Sequence, residues 1–482
     1  MLTQTSQIIN ADIHETTLHH KNYSKEKAII MNKKYEMDMY HGPLMKQMIQ
    51  FSIPLILTGI LQLLFNAVDV IVVGRFTGST ALAAVGSTTF LINLFTNLFI
   101  GISLGVNVLV ARYYASGQED AVSEIVHTAI ATALISGISM TILGILTSRP
   151  ALILMDTPED VLDQAVLYIR IYYLGMTFFM LYNYGAAVLK GIGDTRRPLY
   201  SLIFAGILNV VCNLILVIVF HMGVAGVAIA TIFSQCISSL LVIGCLMKTN
   251  GCYRFIPSRL CLKWNYMKAI FVIGIPAGIQ STIINLSNAL LQTSVNSFGS
   301  LATAGYTAAN NMLGFMYSAV NAISQCCMSF TSQNMGAGKK KRMDLVCRNG
   351  LILEVGLSLL MGCCFYFFGP LLLGIYTTDG NVIKNGMEIL SITTLPYFLC
   401  GIMDMIPGCM RGMGHAFVPM ILSIIGTVGV RLIWIFGAFP LHRSLFFLFI
   451  SYPLSWLVTI VMQAVCYYFV RKKVHLQMQI TS

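Results

Sequence analysis

Of the 19 Asp and Glu residues in this 482-residue chain, only Asp69, Glu354 and Asp404 fall well inside long apolar stretches. A charge at the centre of a bilayer costs at least about 2.5–3.5 kcal/mol on insertion scales, so an ionisable group kept there is a candidate for function. Such a carboxyl can hold a cation, pair with a basic side chain, or take up and release a proton. Among the basic residues Arg431 is comparably deep, whereas Arg170 sits near the outer end of its stretch, where its long stem can snorkel. Neutral polar residues sharpen the pattern. Asn209 and Asn213 have the i, i+4 spacing that puts both on one helix face, and Thr231 follows on the next stretch. The hairpin between these two stretches turns near His221, which gives Asn213 and Thr231 similar depths, and Asp69 lies towards the same end of its own stretch. Asp69, Asn209, Asn213 and Thr231 can therefore make one oxygen-rich site for a coupling cation.

The elements that position these residues follow from composition. Hydrophobic residues make up 56% of the chain and Asp, Glu, Lys and Arg only 10%, with a mean hydropathy of +0.76. Soluble domains carry about 25% charged residues, so the bilayer is the solvent that suits this chain. About 20 apolar residues cross a membrane, and the sequence predicts such spans at 47–73, 82–111, 125–147, 164–189, 198–220, 223–247, 269–297, 301–332, 345–370, 386–410, 416–439 and 445–470. The expected fold is an all-α, polytopic membrane protein with twelve transmembrane helices in two six-helix pseudo-symmetric bundles. Its parts are a polar cytoplasmic N-terminal extension (1–46), an N-terminal bundle (47–247), a cytoplasmic linker (248–268), a C-terminal bundle (269–470) and a cytoplasmic tail (471–482).

The net charge of +11 maps topology. Nearly all Lys and Arg fall on one side, including Arg196, Arg197, Lys339, Lys340, Lys341 and Arg471, while the other receives Arg75, Arg149, Lys384 and Arg443. By the positive-inside rule both termini are cytoplasmic, and no nucleic-acid partner is needed to explain the charge. The N-terminal extension lacks the apolar core of a secretory signal; its His14, His19 and His20 read as part of a solvated tail. The 13 cysteines show neither metal-ligand nor disulfide spacing and read as small packing residues.

The second half repeats the first at an offset of 221 to 222. Ile53-Pro54-Leu55 aligns with Ile275-Pro276-Ala277, Leu189-Lys190-Gly191-Ile192-Gly193 with Met410-Arg411-Gly412-Met413-Gly414, and Pro198 with Pro419. Six helices per repeat is an even number, so the halves share one orientation and are related by an axis along the membrane normal. Two such bundles around a shared cavity are the architecture of an alternating-access carrier.

Two runs resemble a known family. Asn66-Ala67-Val68-Asp69-Val70-Ile71-Val72-Val73-Gly74-Arg75, followed by Ala81-Leu82-Ala83-Ala84-Val85-Gly86, is similar to the first-helix signature of multidrug and toxic compound extrusion (MATE) transporters. Leu189-Lys190-Gly191-Ile192-Gly193-Asp194-Thr195 resembles that family's Leu-Arg-Gly-x-Gly-Asp motif, with Met410 to Gly414 its second-half counterpart. The resemblance covers about 47–470 and implies that Asp69, Asn209 and Thr231 belong to a proton or sodium site. Asn213 departs from the pattern, since its place is commonly Asp; one carboxylate in place of two weakens the case for sodium and strengthens that for a proton.

Asp404 has Asn183 as its repeat mate, and polar residues matched across the halves suggest surfaces facing the shared cavity. Asp404 is then a contact for a cationic substrate or a helix-end structural residue; Glu354 and Arg431, at comparable depth, are a neutralising pair or further cavity residues. Tyr306, Met312, Met316 and Tyr317 are candidate aromatic and soft contacts for planar lipophilic cations. Gly101-Ile102-Ser103-Leu104-Gly105 matches a nucleophile-elbow pattern, but it lies inside an apolar stretch where small residues serve close helix packing. The expected function is secondary active efflux of small organic cations by antiport with protons or sodium, with no enzyme activity and no cofactor beyond the coupling ion. The lipid bilayer of a bacterial cell membrane is its setting, and a monomer suffices. The alternative is a flippase or exporter of a lipid-linked or amphipathic metabolite.

Overall fold

The computed structural model describes residues 35–480, so His14, His19 and His20 lie outside the described residues. Helices carry the structure, and no strand occurs among the described residues. We number the spans α1 (Leu44–Phe76), α2 (Ser79–Ala115), α3 (Glu119–Leu154), α4a (Glu159–Leu174), α4b (Met176–Gly191), α5 (Arg196–Val219), α6 (Gly223–Lys248), α7 (Trp264–Asn296), α8 (Ser300–Gly336), α9 (Lys340–Phe367), α10a (Gly380–Thr393), α10b (Tyr397–Gly412), α11 (Phe417–Leu441) and α12 (Leu445–Ile480).

Nine of these helices are long and apolar enough to span a bilayer alone, and the two bent pairs raise the number to 11. The twelfth is α8, whose 37 residues are ample in length but carry Asn310, Asn311, Asn321 and Gln325. Its polarity is a clue to what it lines. The fourth and tenth spans are not single rods: α4a and α4b meet at 45°, α10a and α10b at 52°. The breaks fall at Gly175 and Pro396, repeat mates at the offset already seen. In the second half proline removes an N–H and restricts the residue before it; in the first, Gly175 lets the bend pack against Ile232 of α6, which occupies the place of a Cβ.

At the face where the termini and most Lys and Arg gather, here the basic face, the halves are bonded together. Ser329 donates to Asn107 Oδ1 at 3.0 Å, Ser332 to the Val108 carbonyl at 2.6 Å, and Gln333 to the Gly191 carbonyl at 2.7 Å. Arg112 donates to the Gly412 carbonyl at 3.2 Å. The bonds continue as far as Thr282 on α7, which donates to the Leu94 carbonyl on α2 at 3.4 Å. Gly101 and Gly105 on α2 press against the backbone of α7 at Gly278 and Ile270, and Gly274 against Ile102, with no room for a Cβ. The Gly-x-Ser-x-Gly run is thus a packing surface, as expected.

Along the central helix α8, exposure falls steadily towards the basic face. Tyr317 is 46% exposed, Asn321 and Gln325 are half-buried, and Met328 and Ser329 are buried. Gln325 on this strip accepts from Lys190 of the first half, so the strip faces a polar cleft between the halves that is shut at the basic face.

Segments flanking the helices are tied to the bundle. Residues 35–43 cross the basic face as a strap. Glu36 accepts from Tyr114 at 2.9 Å and Tyr253 at 2.7 Å on the first half, and Asn334 and Arg342 of the second half donate to the Met39 carbonyl at 3.1 and 3.3 Å. Met39 is fully buried beside Met48, Phe51 and Phe330. Between α6 and α7, the Ile256 N–H donates to His127 Nε2 and the Lys263 N–H to Thr128 on α3. The last helix continues to Ile480 rather than stopping at 470, because Arg471 makes a bidentate pair with Asp344 at 2.6 and 2.8 Å and Val474 is fully buried.

The Leu189 to Thr195 motif explains itself at this face. Gly193 has φ +98°, and the strap backbone at Met37 occupies the space a Cβ would need. Asp194 Oδ1 accepts from the N–H groups of Arg196 and Arg197, satisfying two donors at the start of α5, and its Oδ2 pairs with Arg197 Nε.

Candidate functional site: a carboxyl cluster and a polar cleft

Asp69, Asn209, Asn213 and Thr231, expected to share one site, lie side by side. Asn213 Nδ2 on α5 donates to Asp69 Oδ1 on α1 at 2.5 Å and to Asn209 Oδ1 at 3.2 Å. Both acceptors demand a donor, which fixes the orientation of the Asn213 amide. Its own Oδ1 is left buried without a partner. Thr231 Oγ1 on α6 lies 3.4 Å from Asp69 Oδ2 and 3.0 Å from the Val227 carbonyl. One hydroxyl proton serves one of these; donated at the shorter distance, it leaves the Thr231 lone pairs facing Asp69. Asn209 and Asn213 are buried, and the last turn of α5, Ile215–Val219, is π-helical. Tyr168 and Tyr172 of α4a lie close enough to Asp69 to feel its charge. Neither tyrosine has a signal in the sequence, because aromatic residues are common in such helices.

The second polar group lies at the cleft. Asn321 donates to Asp404 Oδ2 at 3.4 Å, Gln325 donates to Asn321 Oδ1 at 2.6 Å, and Lys190 donates to Gln325 Oε1 at 3.2 Å. A chain of three bonds thereby joins a carboxylate of the second half to an ammonium of the first. Arg411, the repeat mate of Lys190, interacts electrostatically with Asp404 and donates to Gln280 Oε1 at 2.7 Å. Among the described residues no carboxylate comes within ion-pair distance of Lys190, Arg411 or Arg431.

Several expected cavity contacts are elsewhere. Glu354 and Arg431 do not pair. Glu354 is fully buried behind α10b, pressed against Gly401, and accepts from Ser358 at 3.2 Å. Arg431 is held within the second half by Asn288 at 2.7 Å and Ser455 at 3.3 Å, with its guanidinium 4.1 Å from the Tyr452 ring centre. Equal depth along two helices did not bring these side chains to one face, and each is buried separately in the interior of the second bundle. Asn183 turns its amide to the Phe179 carbonyl of its own helix at 2.9 Å and makes no bond to Asp404. Of the four candidate soft contacts, Tyr306, Met312 and Met316 are core, and Tyr317 is exposed on the same helix as Asn321. Asn321, Gln325 and Lys190 were missed, although the i, i+4 amides in α8 were visible in the sequence.

A duplicated twelve-helix bundle with a half-buried carboxyl among amides in one half and a polar cleft between halves is a membrane transporter. The chain belongs to the MatE family, whose sequence profile matches it twice, at residues 54–215 and 276–436, once per repeat. It is 27% identical over 439 residues to "Probable multidrug resistance protein YoeA" of Bacillus subtilis (strain 168), covering 89% of this chain and 94% of that one. It is 26% identical over 359 residues to a Shewanella oneidensis protein named "FAD transporter", covering 71% and 76%. Its fold matches a solved structure described as the outward-facing conformation of a multidrug resistance MATE family transporter, with a TM-score of 0.83 at 19% identity over 90% of this chain and 98% of that one.

Proposed function

We propose that this protein is a secondary active multidrug exporter that moves organic cations out of a bacterial cell in exchange for protons, its basic face cytoplasmic and its cleft open outward in the conformation described. The observation that carries the coupling is the Asp69 cluster. Asn213 points donors at Asp69 and Asn209, filling the directions from which a sodium ion would collect oxygen atoms. A proton on Asp69 Oδ2 finds a ready acceptor in Thr231 Oγ1. Protonation changes the bonding between α1, α5 and α6, and export is coupled if that change weakens substrate binding at the cleft.

Transport of a fluorescent organic cation into inverted membrane vesicles, under separately imposed proton and sodium gradients, tests this reading. Uptake driven by the proton gradient alone and lost in Asp69→Asn is the expected result. Uptake that follows only the sodium gradient overturns the proton assignment. A second reading, export of an amphipathic metabolite bearing an acidic group, has Lys190 in its favour.

A further inference from the structure

A lysine drawn in from the basic face to the closed end of the cleft, without a carboxylate partner, gives up hydration that no opposite charge replaces. Lys190 is half-buried at the cleft, and among the described residues its hydrogen-bond partner is the neutral Gln325. An ammonium has three donors, so two remain for a ligand. The Gln325 amide is oriented, because its Nε2 is committed to Asn321. Asp404, at the other end of the same chain of bonds, is answered by Asn321 and by Arg411 at longer range, with a hydrogen bond from neither Lys nor Arg. The two amides that hold these charges, Asn321 and Gln325, are about one turn apart on α8, a rise of about 6 Å at 1.5 Å per residue.

We infer that Lys190 and Asp404 are the opposite poles of one substrate site, and that the favoured cargo is a zwitterionic amphiphile whose acidic group binds Lys190 and whose basic group binds Asp404. This rests on the efflux reading above and narrows its substrate class. A purely cationic molecule uses Asp404 alone and leaves Lys190 bonded to Gln325. A zwitterion of matching charge separation uses both poles and adds a charge-assisted bond at Nζ. The apolar body of the cargo lies along the exposed Tyr317.

The test uses the whole protein in proteoliposomes and two rhodamine dyes that differ only in one group, a free carboxylic acid (a zwitterion) and its ethyl ester (a cation). The wild type should transport both, the acid with the lower KM. In Lys190→Gln the acid-to-ester ratio of kcat/KM should fall about tenfold or more, the loss expected for one hydrogen bond to a charged group, and Lys190→Arg should restore most of it. If Lys190 only helps shut the basic face, both dyes slow in parallel and the ratio holds; that result overturns the inference, as does a wild type that carries the ester but not the acid. Transport of neither dye by the wild type sinks the efflux reading itself, and the inference with it.

Discussion

Asn213 on α5 reaches across to α1 and donates to Asp69 at 2.5 Å, and the same nitrogen donates to Asn209, its neighbour one turn back. One amide thus ties a lone carboxyl to a second helix and selects what the carboxyl can hold. Asn213→Asp replaces a donor with an acceptor and places two carboxyls side by side. The expected outcome is a gain of sodium dependence: a sodium gradient that does not drive the wild type should drive dye uptake in this variant. Equal indifference to sodium in both proteins would refute the role given to the amide.

Asp69→Asn keeps the shape and the bond to Asn213 but cannot cycle a proton at that position. Gradient-driven export should be lost while the purified protein keeps its thermal stability to within about 1 kcal/mol, the net value of an ordinary hydrogen bond. Export rates in vesicles and a thermal melt of the purified protein read the two effects separately. Retained export would move the coupling site elsewhere.

How much of this was legible in the sequence differs between the two polar groups. The Asp69 cluster could be assembled from spacing alone, because Asn209 and Asn213 share a helix face and the hairpin at His221 fixes the relative depth of Thr231. Depth failed for Glu354 and Arg431, since residues at one level of two helices can point in opposite directions; Gly401 encloses the first and Tyr452 the second. Lys190 and Gln325 are separated by 135 positions and lie in different halves, so only the packing of one bundle on the other brings them together. The bends at Gly175 and Pro396 were hidden for a related reason: apolar composition reports that a segment crosses the membrane, not that it crosses straight.

The contact of α2 with α7 tolerates no added volume. Gly101 meets the α7 backbone at Gly278, and neither backbone can rotate away as a side chain could. Gly101→Val should therefore separate the two helices and destabilise the protein by about 1–3 kcal/mol or more, the range for overpacking a well-filled core. Gly86→Val, on the same helix but with open space around its Cα, serves as the control. Similar melting temperatures for the two variants would contradict the close approach.

The linker offers a pH-dependent readout. Burial, helped by the negative charge of Glu119, pushes the Cys252 thiol up to about 11. A thiol alkylates as its thiolate, so Cys252 should react slowly with iodoacetamide at pH 7–8 and speed up as pH rises towards 11. Rapid reaction near neutrality, followed by mass spectrometry of the peptide containing Cys252, would show that the linker does not stay docked.

The strap gives the last prediction. Glu36 gathers two tyrosine hydroxyls from the first half, while the carbonyls of Met39, Tyr40, His41 and Gly42 are gathered by Asn334, Lys339 and Arg342 of the second. A segment bonded to both halves favours the arrangement in which the basic face is shut, because moving the halves apart must break one set of bonds. Glu36→Ala removes the acceptor for Tyr114 and Tyr253 and leaves the second set intact, at a cost of about 1–3 kcal/mol for two bonds to a charged group that is partly solvated. The shut state should lose that much relative to the open one. A cysteine introduced at Ser329, buried in the shut state beside Asn107, should then be alkylated from the basic face several-fold faster in the Glu36→Ala background than in the wild type. An unchanged labelling rate, with an unchanged melting temperature, would mean that the strap follows the closure of the halves and contributes nothing to it.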